Sequence, residues 1–205
     1  MAADLERPLV AVANRVYEAS GIEVPPRLIR VEPYVTQRGT TATEVRLSYR
    51  GPLSPAGDLP RVRFDLTADE AMVEPPTPRP VSHPYPDGLP EGARARSYSL
   101  PELLAEKLRA LGDRCLPRDL YDVVNIHRRV ASGLTGEGVL AILRVKCAHK
   151  SLAVPTLDSV RRLIGRGEIY TEWDNMLRHQ VPALAPASEF VAELPDVFAW
   201  LDAGA

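Results

Sequence analysis

The chain has little of what would set it apart from ordinary globular proteins. It has only two cysteines, Cys115 and Cys147, too few and too far apart for a disulfide framework or a cysteine metal knuckle. That usage fits a reducing cytoplasm. No run approaches the ~20 apolar residues that a membrane span needs. Asp4, Glu6 and Arg7 interrupt the first ten residues, which denies them the apolar core of a signal peptide. An excess of one charge is missing too. The 25 basic and 27 acidic residues leave a formal net charge of −2, so no overall field draws the protein to nucleic acid or to an anionic membrane. Internal repeats are absent, and the one biased tract is rich in proline. What remains is 45% hydrophobic and 25% charged over 205 residues, enough for one real core or two small ones.

Leu5, Leu9, Val12, Val16 and Ala19 recur at intervals of three and four, which predicts an amphipathic helix ending before Gly21 and laid on a sheet. Three β-rich runs follow, Arg27 to Thr36, Thr43 to Arg50 and Arg61 to Thr67, separated by glycine and proline clusters. In the last of them Val62, Phe64 and Leu66 alternate with Arg61, Arg63 and Asp65, so one face is apolar, the other charged, and Asp65 points away from the core. Between Glu74 and Pro101 stand eight prolines, two tyrosines and His83, a density incompatible with a helix or a central strand. This segment reads as a long extended connector. From Ser99 onward every strong periodicity is helical, predicting helices at 100–112, 118–131, 136–148, 156–165, 168–180 and 188–203. Ser99 followed by Glu102 has the form of a capping box. The expected organisation is α+β, with an α/β region over 1–73, a connector over 74–98 and a helical domain over 99–205.

On a helical projection Leu100, Leu103, Leu104, Leu108 and Leu111 form one stripe, with Lys107 near its middle. A lysine there has two uses. Its stem can lie along the apolar surface with the ammonium in water, or the ammonium can meet a carboxylate or phosphate, since an unpaired buried one is costly. Carboxylates lie close by in Pro117-Arg118-Asp119-Leu120-Tyr121-Asp122, which opens the next helix after a short turn. Antiparallel helices so joined bring Asp119 or Asp122 back towards Lys107. Both acids also have plain structural uses, Asp119 as a helix cap and Asp122 as a first-turn acid favoured by the helix dipole.

The segment from Tyr98 through Lys107 to Leu111, then Arg114, then Pro117 to Val123, resembles the lysine and RDxxD signature of the AbiEii/AbiGii family of bacterial nucleotidyltransferase-type toxins. Upstream, Arg61 to Leu66 resembles the strand that carries this family's third carboxylate, and His83-Pro84-Tyr85-Pro86-Asp87 resembles its linker. These motifs cover roughly residues 60 to 130, and the helices after 135 agree in kind. The chain is similar to the C-terminal two-thirds of such a toxin.

The resemblance implies an incomplete nucleotidyltransferase-like sheet followed by a helical half. It implies a toxin of a toxin-antitoxin or abortive-infection system of phage defence, opposed by a cognate antitoxin. Its reaction would move a nucleotide from a nucleoside triphosphate to an acceptor, tRNA or protein. In such chemistry Mg²⁺ bridges the triphosphate and the attacking oxygen, several carboxylates hold the metal, and a lysine neutralises charge on the phosphates. Carried over residue by residue, Asp65 is the third metal carboxylate and Lys107 the catalytic nucleotide-phosphate contact. Arg118 is a further nucleotide contact, and Asp122 or Asp119 orients the lysine or the substrate. The family pattern also has a glycine turn before two acids on one strand, whereas Gly39-Thr40-Thr41 here leads only to Glu44. The chain is then expected to be a fragment, a shortened homologue without transfer activity, or one whose missing strand another polypeptide supplies. A non-catalytic, protein-binding remnant of the family is the alternative function.

Arg144 and His149 have the R-x₄-H spacing that resembles the catalytic pair of HEPN ribonucleases, which makes RNA cleavage a second alternative. His127 shares an apolar stripe with Leu120, Val123, Val124 and Val130 and reads as a buried, hydrogen-bonded histidine. His83 and His179 have no companions at ligand spacing. Trp173 and Trp200 fall among Leu, Met and Phe at helical spacing and read as core.

Overall fold

The computed structural model describes residues 2–35, 41–51, 58–67, 70–86, 89, 92–130 and 133–203. Thr36, Gly39, Thr40, Asp87 and Ala131, which entered the readings above, lie outside the described residues. The fold is α+β. Its elements run α1 (Ala2–Ser20), β1 (Ile29–Val35), β2 (Thr41–Ser48), β3 (Arg61–Thr67), β4 (Thr77–Pro80), β5 (Arg94–Ser97), α2 (Leu100–Arg114), α3 (Pro117–Val130), α4 (Gly136–His149), α5 (Leu157–Ile164), α6 (Glu168–Leu177) and α7 (Ala187–Asp202). They form two compact units, Met1–Glu70 and Ala71–Ala205.

In the first unit α1 packs on β1, and β1, β2 and β3 form an antiparallel sheet in that order. The register aligns Glu32 with Glu44 and Glu44 with Asp65, and, one residue on, Val31 with Val45 and Val45 with Phe64. Because side chains alternate along a strand, the first row lies on a charged face and the second on an apolar one. Val45 on the central strand is fully buried. On β3 the alternation is as read from the sequence, yet every residue of that strand is exposed.

In the second unit the proline-rich stretch contains a two-stranded ribbon, β4 with β5, which the reading as a plain connector did not foresee. Pro78 and Pro80 are tolerated because both strands of such a ribbon are edges, where a missing amide breaks no interior ladder. The six helices begin within a residue of where periodicity placed them. Ser99 caps α2 by accepting from the Glu102 amide at 3.1 Å. The other half of the expected capping box is absent, because the Glu102 carboxylate accepts instead from the amides of Val73 (3.3 Å) and Glu74 (3.1 Å). α2 packs on α3 and α4, α3 on α6 and α7, and α4 on α7. Leu104, Leu108, Leu111, Val123, Val124, Leu143, Leu194 and Leu201 fill the core between them, each contributing roughly 1.5–3 kcal/mol by leaving water. At the α4–α7 crossing a Cβ on Gly136 would lie 2.1 Å from the Trp200 carbonyl oxygen, so only glycine lets the two backbones meet. Trp173 is buried and donates from Nε1 to Ala185 O at 2.9 Å, and Trp200 packs against the same core. Both cysteines are buried free thiols.

Candidate functional site

The α2–α3 hairpin is built from its turn outward. Cys115 closes α2 in the left-handed region, with φ 51°, and Pro117 opens α3 two residues later, where its missing amide leaves no helical bond unmade. Asp119 is fully buried and accepts from Arg114 twice, Nε to Oδ2 and Nη2 to Oδ1, each at 2.7 Å. This planar fork pins the end of α2 to the start of α3 and satisfies a carboxylate that burial would otherwise penalise. The hydrogen bonds that Arg114 donates to Asp119 raise the Arg114 pKa against the opposing effect of burial, so the guanidinium stays charged.

Further from the turn the two helices lie side by side, and Lys107 Nζ sits 2.5 Å from Asp122 Oδ2. The alternatives left open by spacing are thereby separated: Asp122 is the partner of Lys107, and Asp119 belongs to Arg114. The Lys107 and Asp122 side chains keep 25% and 35% of their surface, so the ammonium is anchored by one acid and still within reach of solvent. With three N–H donors on that group, others remain for an anion. Arg118 is exposed and has no ion-pair partner among the described residues. Near its turn the hairpin thus offers an oriented cation, Lys107, and an exposed one, Arg118.

Behind this surface lies a second lysine that sequence reasoning missed. Lys146 of α4 is buried with its Nζ 2.8 Å from Glu102 Oε1 and 3.6 Å from Glu106, and it donates to Ala71 O at 2.9 Å. Glu102 is equally buried. Burial pushes the Glu102 carboxyl up, but the hydrogen bonds from Lys146, Glu74 and Val73 and the lysine charge outweigh it, so its pKa lies below the usual carboxylate value. Lys146 falls on the stripe of Val139, Leu143 and Cys147, the same signal that singled out Lys107. Being enclosed, this pair ties residues 71–74 to α2 and α4 and presents nothing to a ligand.

In the first unit Asp65 stands on the charged face of the sheet among arginines. Arg63 Nη2 lies 3.0 Å from Glu44 and 3.7 Å from Asp65, and Arg46 pairs with Glu44 and lies 3.8 Å from Glu32. Tyr34 Oη donates to Asp65 at 3.3 Å. The hydrogen bond from Arg46 holds the Glu44 carboxyl below its ordinary value, against burial and helped by the charges of Arg46 and Arg63. A hard cation needs several carboxylate oxygens free to face it. Here the row's oxygens are turned to guanidinium groups, and among the described residues no group of three His, Cys, Asp or Glu stands ready to hold a metal. These residues do not fit a metal centre as they stand. A concave region elsewhere in this unit, lined by Tyr17, Glu23, Pro25 and Arg50 among others, contains none of the catalytic, nucleotide-binding or metal candidates read from the sequence.

Arg144 and His149 are both exposed on α4, with Lys146 between them turned inward. His127 meets the Trp200 ring edge-on, centroids 5.2 Å apart, but its buried Nε2 has no hydrogen-bond partner among the described residues, which corrects the expected hydrogen bond at that atom. Burial lowers the His127 pKa, opposed by the charges of Asp196 and Glu193. No described helix is long and apolar enough to cross a membrane.

No curated protein and no solved structure matches the chain. A family model, nucleotidyl transferase AbiEii toxin of type IV toxin-antitoxin systems, matches residues 3–203. The likeness therefore extends well beyond the motifs around Lys107 and takes in both the first helix and the last. The chain belongs to the AbiEii nucleotidyl transferase toxin family.

Proposed function

We propose that this toxin acts by transferring a nucleotide from a nucleoside triphosphate to an RNA or protein acceptor, and that its α2–α3 hairpin binds the nucleotide phosphates. Membership of a type IV toxin-antitoxin family implies an antitoxin that opposes it. The observation that carries the reading is Lys107 Nζ, 2.5 Å from Asp122, on a side chain that keeps a quarter of its surface. A carboxylate at that distance aims the ammonium before any ligand arrives. Such preorganised charge stabilises phosphates whose negative charge shifts during transfer. Arg118 adds a second phosphate contact in this reading. Asp122 orients Lys107, and Asp119, whose two oxygens serve Arg114, is a positioning residue.

Nucleotidyltransferases in general use a divalent metal. Asp65 is the carboxylate that this reading offers to Mg²⁺, and the described residues place no second acid beside it with its oxygens free of arginine. That arrangement favours a second reading, a family member that binds nucleotide without transferring it. Incubation of the purified chain with labelled nucleoside triphosphates, Mg²⁺ and tRNA separates the two. Label in tRNA that falls at least about a hundredfold in Lys107→Ala supports transfer. Lys107-dependent nucleotide binding without label selects the second reading, and neither binding nor label overturns both.

A further inference from the structure

Packing does not explain the sequence of the β4–β5 ribbon in the second unit. All of its residues except Ser97 are exposed, so both of its faces meet solvent. What it carries is charge. Side-chain alternation puts Arg94 and Arg96 on one face, about 7 Å apart and opposite Pro80 and Pro78, and Arg79 on the other face opposite Ala95. Arg94 Nη2 donates to Pro78 O at 2.9 Å, which fixes that guanidinium without neutralising it. None of the three arginines has a carboxylate partner among the described residues. Between residues 75 and 98 the sequence holds only two acids, Asp87 and Glu91, and both lie outside the described residues. Just beyond β4, His83 meets the ring of Tyr85 edge-on, centroids 5.2 Å apart, and Tyr85 keeps 68% of its surface.

Guanidinium forks match phosphate oxygens in pairs, and an exposed aromatic ring stacks on bases. Together they suit a single strand, because in a duplex the base faces are covered by their neighbours. A peptide strand fits less well. Val81 N donates to Ala93 O at 3.1 Å, so Pro80 and Pro78, one and three residues away, take the other class of pair and turn their nitrogens outward. β4 therefore has no amide to offer at those positions, and β5 is only four residues long. The ribbon also leads directly into the candidate site. Two residues separate Ser97 from Leu100, and Lys107 lies about 10 Å further along α2. We infer that the ribbon docks single-stranded RNA, with Arg94 and Arg96 on neighbouring phosphates, Arg79 adding charge from the far face, and Tyr85 stacked on an unpaired base. The choice of RNA over DNA rests on the transfer reading above, in which RNA is an acceptor; the charge and the ring do not.

Fluorescence anisotropy of a labelled oligouridylate of about twelve nucleotides, titrated with the intact chain over a range of salt, tests the inference. Arg94→Ala combined with Arg96→Ala is expected to weaken binding at least about tenfold and to lower the slope of log affinity against log salt by about 1.4, two phosphate contacts at about 0.7 each. Arg94→Lys combined with Arg96→Lys keeps the charge and should keep the wild-type slope. Tyr85→Ala should weaken binding about tenfold with the slope unchanged. Nucleoside triphosphate affinity of the arginine variants should match wild type, so the two sites read separately. RNA held through these arginines by a chain that binds no nucleotide supports the inference while overturning the nucleotide reading. RNA affinity unchanged in the double alanine variant overturns the inference, as does oligodeoxythymidylate or an oligoglutamate peptide of the same length bound as tightly as the RNA.

Discussion

Replacing Lys146 by methionine removes one member of a pair that is shut off from water. Glu102 would keep the amides of Val73 and Glu74, at 3.3 and 3.1 Å, but lose the Lys146 ammonium 2.8 Å away. Removing one partner of a buried ion pair destabilises by about 3–5 kcal/mol, a large part of a total stability of about 5–15 kcal/mol. At roughly 2–4 °C per kcal/mol for a chain of this size, the melting temperature of Lys146→Met should fall by roughly 6–20 °C. Adding Glu102→Gln removes the stranded charge and still leaves an oxygen to accept an amide, so the double variant should be more stable than the single one. The deficit should also depend on pH. In the wild type the Glu102 pKa is depressed, so the stability it contributes is present above the ordinary value of 4.5 and lost as pH falls through the folded one. The deficit of Lys146→Met is therefore largest near neutral pH and shrinks in acid. Urea unfolding followed by circular dichroism, with an unchanged slope against denaturant, measures each of these quantities. A single variant within about 1 kcal/mol of wild type, or a double variant less stable than it, would refute the reasoning.

Three further outcomes follow from the helical unit. Gly136→Ala puts a Cβ 2.1 Å from a backbone oxygen of α7, so it should lower stability by about 1–3 kcal/mol or more, and an unchanged urea midpoint would contradict the close approach. Burial depresses the His127 pKa, so the unfolded chain binds the proton more readily; stability is full above about 6.5 and declines as pH falls towards the folded value. His127→Leu should flatten that decline, and equal pH slopes in both proteins would count against it. Burial pushes the Cys115 thiol up to about 11 and raises Cys147 as well, so neither should react with a thiol reagent until urea is added; stoichiometric labelling of the native protein would be inconsistent with this.

Much of the fold is legible because apolar periodicity is local. The stripe of Leu104, Leu108 and Leu111 that predicts α2 is the surface it buries. Its last turn was underestimated because Cys115, not a glycine, adopts the left-handed cap. The pairing of Lys107 with Asp122 was within reach of the sequence, since a two-residue turn leaves two helices few ways to pack. What could not be read depends on register and on distant chain. β4 and β5 pair residues far apart, through prolines that argue locally against a strand. The arginines around Asp65 follow from the alignment of β2 with β3, which brings Glu44 beside Arg63. Glu102 was assigned to its own helix start because residues 71–74, whose amides it accepts, lie far back in the chain. Lys146 shows the same signal as Lys107, a lysine on an apolar stripe, here with Val139, Leu143 and Cys147.

The proposal that the hairpin binds phosphate is tested most directly by titrating a nucleoside triphosphate into wild type, Lys107→Ala and Asp122→Asn, with melting temperatures taken on the same samples. A pair that keeps a quarter to a third of its surface and so stays in reach of solvent contributes only about 0–1 kcal/mol to folding, so the melting temperatures should barely move. Loss of a charge-assisted phosphate contact should weaken binding by about tenfold or more in Lys107→Ala, and by less in Asp122→Asn, where the lysine remains. Equal nucleotide affinity in all three proteins would contradict the assignment of Lys107 as a phosphate contact.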